Sequence, residues 1–452
     1  MLDIRVRVWD DLDATAQLKA LARPELKTDA ELPEQVSTII KAVQKTGDKA
    51  LRFYSQKFDN SPDNAIVLSA DDIAQRLALL SSASKAAIDL AYDNIRRFHA
   101  AQQPSNIALE TSPGVFCEMH YRAFDAVGLY VPGGSAPLPS TVMMLGVPAQ
   151  LSGCQRIVLV TPPGQPLATD IAPEIIYAAQ RCGVHEIYTV GGAQAIAALA
   201  YGTESIAKVD KIYGPGNKYV TEAKQQVSQD YRGAAIDMPA GPSEVLIIAD
   251  DSADANFVAA DLLSQAEHGV DSQVVLVSDS EDLMAKTISA MEYQLLKLPR
   301  AFIAKKALKH CRFILTRDLD MAVQVSNRYA PEHLIIQTRQ DARLLKTLNN
   351  AASIFVGPWT PESAGDYASG TNHVLPTYGF SRTYSSLSLL DFYRRYTVQT
   401  LSEQGLRAIG PAIVTLAQAE GLGAHAEAVN VRLKALQRRE DNQAFEQVPE
   451  KG

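Results

Sequence analysis

The sequence predicts an α/β protein made of two units, each a parallel sheet flanked by helices. Apolar runs of strand length recur along it: RIVLVT (156–161), EIYTV (186–190), DKIYG (210–214), EVLIIAD (244–250), QVVLVS (273–278), RFILT (312–316), HLIIQ (333–337) and SIFVG (353–357). Helix-length segments separate most of these runs, and continuous apolar strands alternating with helices mark parallel sheets covered on both faces. Length is the third observation, because 452 residues exceed what a single core ordinarily serves.

Taken in order, the first hundred residues read mainly as helix. A short helical lead-in before Pro24 forms a small separate layer, and 32–58 combines spaced apolar residues with many charges. The stretch 71–100 predicts a long helix interrupted near Ser81 to Ser84, with Asp71 and Asp72 at the positive end of its dipole. RIVLVT leads through a Pro/Gly loop into a helix at about 169–182. EIYTV leads through Gly191-Gly192 into an alanine-rich helix, and DKIYG through Pro215-Gly216-Asn217 into another. After Gly379 the pattern is mostly helical again, with a polar tail beyond Arg438.

Composition narrows the function classes. With 46% hydrophobic and 21% charged residues the chain is globular rather than disordered. A formal charge of -8 argues against binding nucleic acid by phosphate neutralisation. No run reaches the ~18 apolar residues of a membrane-spanning helix, and MLDIRVRVWDDLDA has acids where a secretory signal has an apolar core. The cysteines Cys117, Cys154, Cys182 and Cys311 are scattered without a CxxC pair, which fits a reducing, cytoplasmic setting and excludes thiolate zinc fingers.

Three glycine turns are candidate nucleotide loops: Tyr130-Val131-Pro132-Gly133-Gly134-Ser135, Val190-Gly191-Gly192-Ala193-Gln194 and Tyr213-Gly214-Pro215-Gly216-Asn217-Lys218. Glycine lets backbone approach a ligand closely, helix N-termini hold phosphate, and parallel sheets bind ligands at the carboxyl ends of their strands. Each turn taken alone reads equally well as a tight turn, and none is GxGxxG. In LLSQAEHG, Gln265 and His268 stand at i and i+3 near a helix end, with Gly269 as the C-cap. Asp366 and His373 lie in ESAGDYASGTNHVLPT, and His425 in AEGLGAHAEAV. Gln265, His268, Asp366 and His425 offer one amide oxygen, two imidazoles and one carboxylate, a donor set suited to Zn²⁺ if the fold brings them together. Glu332-His333 opens an apolar strand. Adjacent strand residues face opposite ways, so the pair serves one site only if the backbone turns there, as Pro331 allows. Histidine suits removal of an alcohol proton, and glutamate suits activation of water. Cys154 is the one thiol placed as a nucleophile candidate.

At these residues the sequence resembles the histidinol dehydrogenase family, from about residue 30 to about 436. The strings that carry the resemblance include GLYVPGGSAPLPST, VGGAQAIAALAYGTES, VDKIYGPGNKYVTEAK, DMPAGPSEVLIIAD, LLSQAEHG, PEHLIIQTR and PESAGDYASGTNHVLPTYG. The resemblance implies two-step NAD-dependent oxidation of L-histidinol, through L-histidinaldehyde, to L-histidine. It implies zinc, one per subunit, held by Gln265, His268, Asp366 and His425. Ser243, Gln265, His268, His333, Asp366, His373, Glu420 and His425 would surround the substrate, Glu332 and His333 would be catalytic, and Tyr130, Gln194 and Asn217 would contact NAD. It further implies a homodimer with shared active sites and two incomplete Rossmann-like units. The expected segments are 1–30, an N-terminal helical piece; 31–129 plus 243–385, carrying metal and catalytic residues; 130–242, binding NAD; and 386–452, a helical piece completing the partner's site. Two other classes compete on the residues alone: a zinc-dependent hydrolase, and a non-catalytic dinucleotide-binding regulator.

Overall fold

In the computed structural model the described residues are 2–24, 30–59, 66–133, 137–164, 171–238 and 241–446. Gly134 and Ser135 of the first glycine loop, the first residues of the helix expected at 169–182, and the end of the polar tail lie outside them. The strands, in chain order, are β1 (Val6–Val8), β2 (Ile107–Ser112), β3 (Val115–Ala123), β4 (Ala126–Tyr130), β5 (Arg156–Val160), β6 (Glu186–Tyr188) and β7 (Lys211–Tyr213). There follow β8 (Ala235–Ile236), β9 (Glu244–Ala249), β10 (Gln273–Ser278), β11 (Arg312–Leu315), β12 (His333–Gln337), β13 (Ser353–Val356) and β14 (Tyr393–Leu401). The chain divides into two units, Met1–Gln103 with Phe124–Phe392, and Pro104–Ala123 with Tyr393–Gly452.

The first unit holds two parallel sheets, ordered β1-β11-β10-β9-β12-β13 and β6-β5-β4-β7-β8. In each, the central strand (β9 or β4) has later strands on both sides, so the order reverses there and opens a crevice. Every residue of β9 is buried, and its side chains alternate between two cores. Val245, Ile247 and Ala249 pack with Leu262 and Met284, whereas Leu246 and Ile248 pack with Leu319 and Tyr329. This is why EVLIIAD is apolar without alternation. On the other sheet, Val158 and Val160 face one helical layer, and Val127, Leu129 and Leu159 face the other.

Three expectations about segments are corrected by packing. The N-terminal piece carries the expected helix before Pro24, Ala14–Ala20, but it is not a separate layer: β1 joins the six-stranded sheet as an edge strand parallel to β11. The helices Leu32–Thr46 and Asp48–Asp59 do not cover the six-stranded sheet with 243–385. Val36, Ile39, Ile40 and Val43 form a stripe at helical spacing that packs with Val158, Ile196 and Leu199 of the other α/β layer. Periodicity reveals that a helix has an apolar face, not which sheet will cover it. Finally, the C-terminal segment is not wholly helical, because β14 pairs antiparallel with β3, which pairs antiparallel with β2, in the second unit. β2 and β14 are largely exposed and β3 largely half-buried, and all three mix polar with apolar residues, so no apolar run announced them. Helices Glu403–Ala419 and Gly423–Glu446 complete that unit, the second running well past Arg438. The break expected near Ser81 is present, with Ser81 capping the helix Ser82–Ala100. Among the described residues no helix is long and apolar enough to cross a membrane.

Candidate active site

Two cavities of the first unit share Pro132 and Gly133 in their walls. The larger, about 1050 Å³, lies at the carboxyl ends of the five-stranded sheet and is lined by Tyr130, Pro162, Gly192, Gln194, Asn217 and residues of the two N-terminal helices. All three glycine turns contribute to these two walls. At Gly133 a Cβ would collide with Pro162, and Gly192 has a φ of 69° that an L side chain adopts only at a cost. The Gly192 N–H donates to the Tyr130 hydroxyl at 3.1 Å, and burial pushes that phenol up to about 12, so it stays a neutral hydroxyl. Gln194 is buried, and its Oε1 has no hydrogen-bond partner among the described residues. Asn217 is the N-cap of the helix Lys218–Gln229, its Oδ1 accepting from Tyr219 and Val220 N–H groups. Asp59, which sequence did not single out, also lines this cavity; burial raises its carboxyl to about 6, and its Oδ2 has no partner among the described residues.

The second cavity, about 470 Å³, is lined by Ser243, His268, Glu332, His333, Asp366 and His373 together with Pro132, Gly133 and Gly214 to Gly216. Its chemistry comes from the amino ends of the six-stranded sheet: Ser243 precedes β9, and Glu332 and His333 open β12. The site thus lies where the amino edge of one sheet meets the carboxyl edge of the other.

The Glu332-His333 pair serves one site because the chain turns before it. Ala330 adopts a left-handed φ of 57° and Pro331 follows, bringing Glu332 Oε2 within 3.6 Å of His333 Nδ1. That Nδ1 also lies 3.1 Å from the Glu244 carbonyl oxygen. A carbonyl only accepts, so Nδ1 carries the proton and Nε2 keeps its lone pair. Nε2 is buried without a hydrogen-bond partner among the described residues and stands 3.8 Å from Asp366 Oδ1. Burial holds the imidazole down to about 3, with His268 and His373 adding to the effect against the Glu244 carbonyl, so the ring is a neutral base. Burial first, then Glu244 and Asp366, raises the Glu332 carboxyl well above its usual range. Its Oε2 accepts from the Glu244 N–H at 2.8 Å.

Gln265 occupies the last turn of the helix Ala255–Ala266, which ends before His268; Gly269 is therefore not its left-handed cap. With its amide nitrogen facing the buried Glu362, Gln265 donates to both carboxylate oxygens, 3.2 Å to Oε2, which leaves the amide oxygen as an acceptor on the other side. His268 stands just past the helix in the wall of the small cavity, its pKa lowered by desolvation and by Arg300. Burial raises Asp366 to about 6. His373 Nδ1 lies 2.8 Å from the Asp366 carbonyl and its Nε2 3.3 Å from Thr141 Oγ1, while burial holds it to about 4.

Among the described residues, His333, Glu362 and Asp366 have donor atoms all within 4.8 Å of one another. This set shares only Asp366 with the four ligands expected from sequence. Glu362 was missed, although Glu362 and Asp366 stand at i and i+4 and so share a helical face. Glu420 and His425 lie in the second unit, both exposed, at the end of one helix and the start of the next. All four cysteines are free thiols, and burial raises Cys154, which makes it a poor nucleophile.

A family model described as histidinol dehydrogenase matches residues 21–433. The chain is 55% identical over 436 residues to histidinol dehydrogenase of Vibrio vulnificus, covering 96% of this chain and 100% of that protein. To that of Colwellia psychrerythraea it is 57% identical over 426 residues, 94% of this chain and 98% of that protein. The crystal structure of histidinol dehydrogenase from Elizabethkingia anophelis matches with a TM-score of 0.93 at 45% identity, over 97% of this chain and 99% of that one. With agreement across nearly its whole length in sequence and in fold, the chain belongs to the histidinol dehydrogenase family.

Proposed function

We propose that this chain, a cytoplasmic oxidoreductase of histidine biosynthesis, converts L-histidinol through L-histidinaldehyde to L-histidine in two NAD-dependent oxidations. The observation that carries the reading is the His333 ring in the wall of the small cavity, neutral, with Nδ1–H committed to the Glu244 carbonyl and the Nε2 lone pair left 3.8 Å from Asp366 Oδ1. Beside it, a second cavity with a glycine-lined wall and a Gln194 oxygen without a partner among the described residues fits a dinucleotide held by Tyr130, Gln194 and Asn217. NAD⁺, when bound, supplies the hydride acceptor, and Zn²⁺, one per subunit, supplies a clamp on the substrate's imidazole and amine. Gln265, His268 and Asp366 offer oxygen and neutral nitrogen donors that fit zinc and would hold it, and His425 would be the fourth ligand. In the first step His333 Nε2 takes the hydroxyl proton as the carbinol carbon gives up a hydride. In the second, Glu332 takes a proton from water adding to the aldehyde, and His333 takes the hydroxyl proton of the hydrate as the second hydride leaves. Each histidinol therefore yields two NADH with consumption of one water. Purified protein given histidinol, NAD⁺ and zinc should form NADH in that ratio. A hydrolase would form none, and a dinucleotide-binding regulator would retain NAD without metal or turnover.

The functional assembly is a homodimer in which the C-terminal segment of one subunit supplies Glu420 and His425 to the other. Their location in the second unit, exposed on consecutive helices, supports this reading. The expected result is complementation: His425→Ala and His333→Asn proteins are each inactive alone, and exchanging their subunits restores activity to one of the two sites in a mixed dimer. Verified heterodimers that stay inactive with zinc bound would assign His425 to its own subunit.

A further inference from the structure

We propose that Arg23 is a positioning residue for the Glu332–His333 pair, acting through Glu244 and the Ala330 turn; the proposal rests on the roles assigned to that pair above. Glu244 holds Glu332 with side chain and main chain alike, and His333 with its main-chain carbonyl. Its N–H donates to Glu332 Oε2 at 2.8 Å, its carbonyl accepts from His333 Nδ1 at 3.1 Å, and its Oε1 accepts from the Glu332 N–H at 3.3 Å. The carboxylate is held in turn by a fork from the N-terminal segment. Arg23 Nε donates to Oε2 at 2.6 Å and an Arg23 terminal nitrogen to Oε1 at 2.7 Å, while the Tyr329 hydroxyl donates to Oε2 at 3.1 Å. The same terminal nitrogen donates to the carbonyls of Tyr329 at 2.9 Å and Ala330 at 3.2 Å, and the guanidinium stacks 4.0 Å from the Tyr329 ring.

Arg23 thus grips both sides of the device. It fixes the carboxylate whose backbone sets the His333 tautomer, and it pins the carbonyl of a non-glycine residue held at φ 57°. A left-handed alanine returns readily to the right-handed or extended regions unless its neighbours determine it. Relaxation there would swing Glu332 and His333 back to opposite faces of the strand. The geometry of proton transfer tolerates little displacement, and a misplacement of about 1 Å costs about 10²-fold.

Arg23→Gln removes the fork. The expected result is a kcat lower by about 10²-fold with KM for histidinol, NAD⁺ affinity and zinc content within a few-fold of wild type. The decisive readout is a double-mutant cycle with His333→Asn. If Arg23 acts through the base, Arg23→Gln costs little further activity in that background; an independent structural lesion costs its full amount again. Wild-type kcat in folded Arg23→Gln, a fully additive loss in the cycle, or a parallel fall in NAD⁺ affinity would each overturn the proposal. Should Arg23→Gln fail to fold, Arg23→Lys keeps a cation beside Glu244 but cannot span both oxygens and two carbonyls. Its expected defect is smaller and equally dependent on His333, and wild-type turnover in it would overturn the proposal. Failure of the underlying assignment looks different: His333→Asn would then itself turn over normally.

Discussion

Replacing His333 with Asn should lower turnover by about 10²–10⁴-fold, the range of a lost general base, while zinc content and NAD⁺ affinity stay near wild type. The substitution is chosen for what it preserves. An asparagine amide can place a donor near the position of Nδ1 and keep the bond to the Glu244 carbonyl, but it offers nothing at Nε2. Both oxidations should fail, because each needs a hydroxyl proton removed as hydride leaves. Since the His333 ring is held to about 3 by burial, the wild-type base is available throughout neutral pH and a fall in rate just below neutrality belongs to another group. Normal turnover in His333→Asn at neutral pH would sink the assignment of the base.

The Glu332→Gln protein should separate the two chemical steps. Its amide oxygen can still accept from the Glu244 N–H, now made by Glu332 Oε2 at 2.8 Å, so the turn survives. It cannot take a proton from water, and oxidation of supplied histidinaldehyde should fall by about 10²–10⁴-fold. Reduction of the same aldehyde by NADH needs no hydration and should persist. The sign of the pH dependence follows from burial. The Glu332 carboxyl is raised, so its basic form grows as pH rises, and wild-type aldehyde oxidation should climb with pH along a limb missing from the Gln variant. Equal losses in both directions would contradict the division of labour.

The alternation of apolar strands and helices was legible because both faces of a parallel sheet must be apolar, and EVLIIAD could hardly be anything but a buried strand. The glycine turns were legible because backbone geometry restricts such positions to glycine, as at Gly192. The identity of most site residues came from long strings shared with a family rather than from spacing. The strands β2, β3 and β14 were not legible, since antiparallel strands that are exposed or only half-buried carry mixed polarity. Nor was the attachment of the helices at 32–59, whose apolar stripe fits any sheet of suitable shape.

The site itself was decided in three dimensions. Gln265, His333, Glu362 and Asp366 become neighbours only because β12 and the helices Ala255–Ala266 and Glu362–Tyr367 bring distant parts of the chain together. Arg23 and Glu244 lie 221 residues apart, and nothing in the local sequence of either announces the other. Sequence by itself determined which residue types were available, which continuous apolar segments would be buried strands, and where glycine was obligatory, because these depend on local backbone geometry and on the period of burial. Tertiary structure alone decided which lone pair of His333 stays free, because that depends on the carbonyl that a neighbouring strand presents to its other nitrogen.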